Sequence, residues 1–318
     1  MSLRFKNSSL IPFTSSLSML VTTLHETTFE YSRPIERTHS EARIWPFSDA
    51  SQTCHEFSLC VDPMQPLSET CDYWGNAVMS FNILPPHRRV VVTGRSVVKT
   101  HRKPFESNPV DSFETQRAHH DYATFSDVSG GAIEYSNEAK TLGEAAGLHA
   151  ANRDAKWFEE GSLFGALQKL NSLIFHGFTY CTDSTDVYTS VSQVMQNKRG
   201  VCQDFAHVFL AACRAHDVPS RYVSGYLVTR RARSEEGSSA SHAWVEVLVP
   251  HHGWVALDPT NNLLANDSYI KIAHGRDYGD VTPTRGVFKG RGVDCRMSVR
   301  VHTLTEEALS STREVLIG

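Results

Sequence analysis

One apolar segment, "CQDFAHVFLAACRA" at residues 202–215, constrains the fold of this 318-residue chain more than any other. Positions 205, 206, 208–213 and 215 are all apolar or small, so a helix here would be apolar on nearly every side. Such a helix must be buried within a larger domain. Gly200 precedes the segment and "HDVPS" follows it, so we predict a helix from Cys202 to about His216.

The segments around this helix indicate how it is covered. Two stretches with helical spacing of apolar residues precede it, "NEAKTLGEAAGLHAANRD" and "SLFGALQKLNSLIFHGF". Three strand-like segments follow it, "RYVSGYLV", "HAWVEVLV" and "WVALD". A helix feeding an antiparallel sheet is typical of α+β organisation. We therefore predict an α+β domain over residues 130–305, with the helix that bears Cys202 packed on an antiparallel sheet.

The N-terminal third of the chain has a different pattern. Residues 19–102 contain short β-branched and aromatic segments separated by turn signals, which predicts a small antiparallel β-sandwich. We predict a linker at 103–129, a disordered extension at 1–18 and a C-terminal tail at 306–318. Pro12 and repeated serines interrupt the apolar residues near the N-terminus, which disfavours a signal peptide, and Met19 is an alternative start.

Composition excludes several classes of function. The net charge is −4 and no block of like charge stands out in the sequence. The composition therefore does not indicate the basic patch that binding to nucleic-acid phosphates requires. No segment approaches the roughly 20 apolar residues of a membrane helix. The seven cysteines form no CxxC pair and no disulfide framework, so we expect free thiols and a cytoplasmic location. HExxH, P-loop and dinucleotide-binding motifs are missing from the sequence, and the paired histidines at 119–120 and 251–252 lack zinc-ligand companions, so we expect neither cofactor nor metal.

Cys202 lies where a turn becomes a helix, which favours a reactive thiol. The unpaired amides of a first helical turn stabilise a thiolate and can also bind the oxyanion of a tetrahedral intermediate. Gly200 would allow the tight turn and leave room for a substrate. The alternative is that Cys202 is a small apolar residue filling a core, which is the commoner role of a single cysteine.

A nucleophile of this kind needs a base, and the base needs a partner that orients it. His242 opens one predicted strand and Asp258 closes the next. An antiparallel hairpin centred on Pro250 would pair Leu248 with His252 and place His242 directly opposite Asp258. The spacing therefore predicts an imidazole beside a carboxylate at the open end of a hairpin.

Neighbouring residues carry weaker predictions. A bulge at Gly253 would shift the hairpin register. Trp244 and Trp254 would shield the histidine–aspartate pair from water. Asp204 is a helix cap or loop anchor rather than a proton acceptor, and His207 is a core or rim histidine because it does not share a helical face with Cys202.

The segments "GVCQDFAHVFLAACRAHDVPSRYVSGYL" and "SHAWVEVLVPHHGWVALDPTNN" resemble the bacterial transglutaminase-like superfamily of candidate cysteine proteases. Its motifs are a Cys at a helix start, a His before Ala-Trp and an Asp before Pro-Thr, which correspond to Cys202, His242 and Asp258. The segments "HETTFEYSRPI" and "CDYWGNAVMSFNI" are similar to the β domain that precedes the core in this bacterial subgroup. The resemblance implies a papain-like α+β core that carries this catalytic triad.

One departure from the family pattern concerns the oxyanion. Animal transglutaminases carry a tryptophan before the active cysteine, and "TDVYTSVSQ" contains none. The resemblance therefore leaves backbone amides near Cys202, or a side chain such as Gln203, as candidate oxyanion donors. The calcium sites of the animal transglutaminases also have no visible equivalent in this sequence.

These residues predict a cysteine-dependent hydrolase of peptide or other amide bonds that works through a thioester. Two alternatives stay open. The same triad could transfer the acyl group to an amine, or the fold could be a non-catalytic module that binds a peptide or partner. We expect a peptide or protein substrate and neither nucleic acid nor membrane as partner, and the sequence does not indicate an oligomeric state.

Overall fold

The computed structural model describes residues 18–102, 112–123, 133, 135–153, 159–182, 189–228 and 241–305. The predicted tail and all but residue 18 of the predicted extension lie outside these residues. The strands are β1 (Leu20–Ile35), β2 (Arg37–Ala42), β3 (Gln52–Asp62), β4 (Ser68–Cys71), β5 (Ala77–Ile83), β6 (His87–Thr100), β7 (Thr179–Tyr180), β8 (Arg199–Gly200), β9 (Ser220–Leu227), β10 (His242–Val249), β11 (Gly253–Asp258), β12 (Leu263–Leu264), β13 (Tyr269–Gly275), β14 (Thr284–Lys289) and β15 (Cys295–Thr305). The α-helices are α1 (Ser112–Tyr122), α2 (Asn137–Ala146), α3 (Leu163–Gly177), α4 (Val191–Asn197), α5 (Cys202–Arg214) and α6 (Tyr278–Val281).

The N-terminal part of the chain forms two antiparallel sheets that face each other. Their strand orders are β15-β1-β6-β3 and β14-β2-β5-β4. Apolar residues from both sheets form one buried core, in which Ile35 and Val92 of the first sheet meet Phe81 of the second. Facing sheets joined by such a core are the arrangement expected for a β-sandwich.

Two strands from the far end of the chain complete these sheets, although the sequence analysis places them in the domain over residues 130–305. β14 pairs with β2, and β15 pairs with β1 along eleven residues from Tyr31–Cys295 to Val21–Thr305. The sequence pattern of β15 indicates a strand but carries no information about which sheet that strand joins. β1 and β2 are thereby each paired on one side with chain that follows the α+β core.

The predicted linker contains a helix, α1, that the sequence analysis missed. Its buried residues include Ala118 and Tyr122, which are four residues apart and therefore lie on one face. They pack with Leu248, Trp74 and Trp254. Because so few of its residues are apolar, α1 depends on this tertiary contact rather than on a strong helical pattern.

The remaining helices and strands form the predicted α+β core. α5 is buried at every position from Asp204 to Arg214, and it ends two residues before the predicted end at His216. It packs on a five-stranded antiparallel sheet with the order β12-β11-β10-β9-β13. In the part of the chain that the structure describes, no helix combines the length and hydropathy needed to cross a membrane.

The β10–β11 hairpin differs from the predicted register by two residues. Leu248 pairs with Trp254, not with His252. The predicted turn was too short: Pro250 begins a turn in which Val249 accepts a hydrogen bond from the His252 amide at 3.0 Å, and His251 has a φ of 66°. This is the pattern of a type II turn. A shift of two residues leaves every side chain on its predicted face, because side chains alternate with a period of two.

Candidate active site

Cys202 is the first residue of α5 and is half-buried. The chain reaches it through a short parallel pairing of β7 with β8, closed by the Cys181 amide donating to the Gly200 carbonyl at 2.9 Å. The thiol is therefore at the N-terminus of a buried helix, where the first-turn amides have no intrahelical acceptors. This is the location that the sequence predicts.

Two of the predicted site residues shape the turn before Cys202. Asp204 is buried, and its Oδ2 accepts a hydrogen bond from the Val201 amide at 2.7 Å. A Cβ at position 200 would lie 2.6 Å from the same Asp204 oxygen, so only glycine fits there without displacing the cap. Asp204 and Gly200 thus hold the helix start, whereas Gln203 lies half-buried in the first turn of α5.

His242 and Asp258 are in direct contact. The His242 Nε2 atom lies 2.8 Å from Asp258 Oδ2, and the aspartate is fully buried. In the observed register Asp258 is one step beyond the pairing of Val245 with Leu257, so the two residues are diagonal neighbours rather than directly opposed. Long polar side chains can bridge such diagonal positions on one face of a sheet.

Asp258 is surrounded by hydrogen-bond donors. Besides His242, its Oδ2 accepts from the Asn261 side chain at 2.6 Å and from the Tyr269 hydroxyl at 2.7 Å. Its Oδ1 accepts from the amides of Thr260 at 2.8 Å and Asn261 at 3.3 Å. Neither Asn261 nor Tyr269 is among the site residues predicted from the sequence. The turn residues after "LD" were a usable signal for Asn261, but nothing local connects Asp258 to β13.

Trp244 forms the apolar wall of this pair. It is fully buried and its ring stacks on His242 at 6.2 Å between centroids, while Tyr269 meets it edge-on at 5.4 Å. The predicted shielding role is wrong for Trp254, which lies at the far end of the hairpin. There it stacks under the Arg221 guanidinium at 4.0 Å.

The charges of the site stabilise a protonated imidazole. Burial lowers the pKa of His242, but hydrogen bonds with Asp258 and Cys202, together with the charges of those groups, raise it to about 10. Burial alone would raise the pKa of Asp258. The hydrogen bond and charge of His242, with the hydrogen bonds from Asn261 and Tyr269, outweigh burial and hold this pKa below its usual range. Because Asp258 binds Nε2, the Nδ1 atom is the nitrogen left to face the thiol.

His207 is a core residue, as its position predicts. It is fully buried, and its Nε2 accepts a hydrogen bond from the Tyr278 amide at 3.3 Å. Burial and the charge of Arg214 lower the pKa of His207 to about 3. Within the described ranges no group of three or more His, Cys, Asp or Glu side chains is arranged to hold a metal ion.

Comparison with known proteins identifies the family. Residues 158–259 match the "Transglutaminase-like superfamily" and residues 21–99 match the "Bacterial transglutaminase-like N-terminal region". An uncharacterised protein of Mycobacterium leprae is 32% identical over 287 residues, which cover 85% of this chain and 93% of that protein. The chain belongs to the transglutaminase-like superfamily. A second relative, an uncharacterised protein of Mycobacterium tuberculosis, is 31% identical over 278 residues, or 83% of this chain and 85% of its own length.

A solved structure shares the fold of this transglutaminase-like protein. The crystal structure of a candidate cysteine protease from Cytophaga hutchinsonii covers 92% of each chain with a TM-score of 0.66 and 19% sequence identity. Its coverage includes both the N-terminal sheets and the α+β core. The transglutaminase-like fold expected from the sequence motifs is therefore confirmed. Cys202, His242 and Asp258 all lie within the matched core, whereas Asn261 and Tyr269, which bind Asp258, lie just beyond it.

Proposed function

We propose that this transglutaminase-like protein hydrolyses amide bonds of a peptide or protein through Cys202, His242 and Asp258. One observation carries the proposal: the His242 ring is shared between a fully buried carboxylate at 2.8 Å and the thiol at the N-terminus of α5. A thiol, an imidazole and an orienting carboxylate in this order are the components of cysteine-dependent acyl transfer.

The reaction proceeds in two halves. In the first, the Cys202 sulfur attacks the amide carbonyl, and the thiol proton resides on His242 Nδ1. His242 then gives this proton to the departing amine as the C–N bond breaks, leaving a thioester on Cys202. In the second, His242 accepts a proton from water, the resulting hydroxide attacks the thioester, and the thiolate leaves as the acid is released.

Each supporting residue has a role in this scheme. Asp258 holds the ring through Nε2 and stabilises its positive charge, and the buried Trp244 keeps water from that hydrogen bond. The first-turn amides of α5, with the Gln203 side chain as a further candidate, would bind the oxyanion. Gly200 and Asp204 fix the turn that presents the thiol.

The cysteines support a reducing compartment for this chemistry. All seven cysteines of the chain are free thiols in the structure. Free thiols persist where disulfides are kept reduced, so we place the activity in the cytoplasm. Metal and cofactor play no part in the proposed steps.

The test is a thiol-directed activity probe applied to the wild type, Cys202→Ala, His242→Ala and Cys181→Ala. Cys181 is the matched control, because its half-buried thiol is close to the same turn. We expect labelling to be lost with Cys202→Ala and His242→Ala and kept with Cys181→Ala. Labelling that survives Cys202→Ala would contradict the proposal.

A peptide library incubated with and without a primary amine then identifies the acceptor. Mass spectrometry distinguishes the two products, because hydrolysis adds water across the amide and acyl transfer attaches the amine. Predominant amine attachment would replace the hydrolase by a transglutaminase using the same residues. Labelling without turnover of any peptide would favour a binding module.

A further inference from the structure

β13, the outer strand of the catalytic sheet, is held by side chains of the N-terminal sheets. It pairs with β9 on one side only, so the backbone groups on its other side need partners from elsewhere. Two fully buried amides, Gln52 and Asn76, supply such partners, together with the Phe47 backbone amide, which donates to the Lys271 carbonyl at 3.1 Å. Burying unpaired peptide groups along a strand is costly, which makes these two side chains structurally important.

Each amide acts as a substitute for a strand residue. Gln52 donates from Nε2 to the Lys271 carbonyl at 2.8 Å and accepts from the Lys271 amide at 2.7 Å. Asn76 donates from Nδ2 to the His274 carbonyl at 2.9 Å and accepts from the His274 amide at 2.9 Å. A carboxamide has the donor and acceptor of a peptide group, so it reproduces a two-bond β pair.

The spacing of the two clamped residues is made possible by an irregularity in β13. Residues three apart face opposite edges of a regular strand. The pairing with β9 shifts between Lys271 and Ala273, which reverses the alternation. Lys271 and His274 therefore both direct their backbone groups towards the N-terminal sheets. The irregularity in β13 is therefore what allows Gln52 and Asn76 to bind the same edge of the strand.

The same strand begins with Tyr269, whose hydroxyl donates to Asp258 at 2.7 Å. A third residue from the N-terminal part of the chain, Arg102, binds the segment just before this tyrosine. Its backbone amide donates to Asp267 Oδ1 at 2.8 Å. Gln52, Asn76 and Arg102 thus contact β13, or the segment just before it, within about five residues of Tyr269, which is a ligand of Asp258.

We propose that Gln52 and Asn76 are positioning residues: they hold β13 so that the Tyr269 hydroxyl stays on Asp258 and sets the strength of the Asp258–His242 hydrogen bond. The proposal rests on the proposed function of His242 and Asp258. It gives the N-terminal sheets a role in the chemistry of the site as well as in the stability of the chain.

The direction of the effect follows from the donors on Asp258. Removing the Tyr269 donor makes the carboxylate more basic, so it stabilises the His242 imidazolium more strongly. The pKa of His242 should rise by about 0.5–1 pH unit. A less acidic imidazolium returns its proton to the leaving amine more slowly, so Cys202-dependent turnover should fall by about 2- to 10-fold.

The test measures the His242 pKa by NMR titration of its Cε1–H in the full-length wild type, Tyr269→Phe, Gln52→Met, Asn76→Ala and the double variant Gln52→Met/Tyr269→Phe. We expect each single variant to raise the pKa and the double variant to match Tyr269→Phe alone, because coupled residues are non-additive. The control is Asn82→Leu, an amide of the same sheets that bonds to His39 on the surface. It should leave the pKa unchanged.

The outcomes separate the two proposals. If Tyr269→Phe raises the pKa while Gln52→Met and Asn76→Ala, folded by circular dichroism, leave it at the wild-type value, the positioning role is overturned. An additive double variant overturns it as well. If Cys202→Ala keeps its probe labelling, the proposed function itself fails. Asn76→Ala keeps the test decisive should Gln52→Met not fold.

Discussion

Replacing Asp258 with asparagine removes one negative charge from a pocket in which every hydrogen-bonding neighbour of the carboxylate is a donor. His242, Asn261 and Tyr269 donate to one oxygen, and the amides of Thr260 and Asn261 donate to the other. An asparagine amide would place its own NH₂ against donors in either orientation. Asparagine therefore cannot substitute for aspartate here, although the two side chains have the same shape.

The magnitude follows from the pKa of His242. It is about 10, against an ordinary value of 6.5, although burial lowers it. At about 1.4 kcal/mol per pH unit, the difference corresponds to about 5 kcal/mol in favour of the imidazolium. Without the charge of Asp258, we expect the pKa to fall by about 2–3 pH units and the rate of amide cleavage to fall by about 10²–10⁴-fold.

The assay is an NMR titration of the His242 ring in the wild type and in Asp258→Asn, with thermal unfolding at each pH. A histidine whose folded pKa is raised stabilises the fold fully below pH 6.5 and loses this contribution as the pH rises to about 10. The stability difference between the two proteins should shrink over that window. A wild-type titration near 6.5, or one that Asp258→Asn leaves unchanged, would refute the reasoning.

Three further predictions concern the packing and charges beneath the site. Gly225→Ala should destabilise the fold by about 1–3 kcal/mol in chemical denaturation, because its Cβ would lie 2.1 Å from the Ile270 carbonyl; wild-type stability would show that β13 yields freely. Glu246→Gln should cost about 3–5 kcal/mol, since it leaves Arg221 and Lys271 buried without their shared carboxylate, and a loss below 1 kcal/mol would contradict this. Acid should destabilise the protein from about pH 6.5 downward, because histidines that are buried neutral take up a proton when the chain unfolds. Each such histidine should lower the free energy of unfolding by about 1.4 kcal/mol per pH unit, and a melting temperature that stays constant between pH 6.5 and 4.5 would exclude this. These histidines, with pKa values lowered mainly by burial to about 4, 3 and 2, are His25, His207 and His274.

The predicted parts of the site are those that the sequence encodes locally. The apolar segment after Cys202 predicts both the buried helix and the position of the thiol at its N-terminus. His242 and Asp258 could be placed on one face because strand alternation survives a two-residue error in register. Pro250 identified the hairpin, although not the length of its turn.

The unpredicted parts depend on contacts between residues distant in sequence. Tyr269 lies only eleven residues from Asp258, but its role follows from the order of strands in the sheet, which no local pattern specifies. Gln52 and Asn76 are polar residues that a sequence places on the surface, and both are fully buried because they satisfy β13. α1 was missed for a related reason, since its burial depends on Trp74 and Trp254 rather than on its own composition.

The two sides of the candidate site rest on different supports. The strand face that includes Val245 and Val247 packs into the core of α5, so the helix that carries Cys202 is held within the α+β core. The opposite face carries Trp244 and Glu246, and Glu246 joins the N-terminal sheets through Lys271, whose ammonium also binds Asp49 at 2.6 Å. His242 and Asp258 lie on this second face. Substitutions between the N-terminal sheets and β13 should therefore change the pKa of His242, whereas a cavity in the α5 core should lower stability and leave that pKa in place.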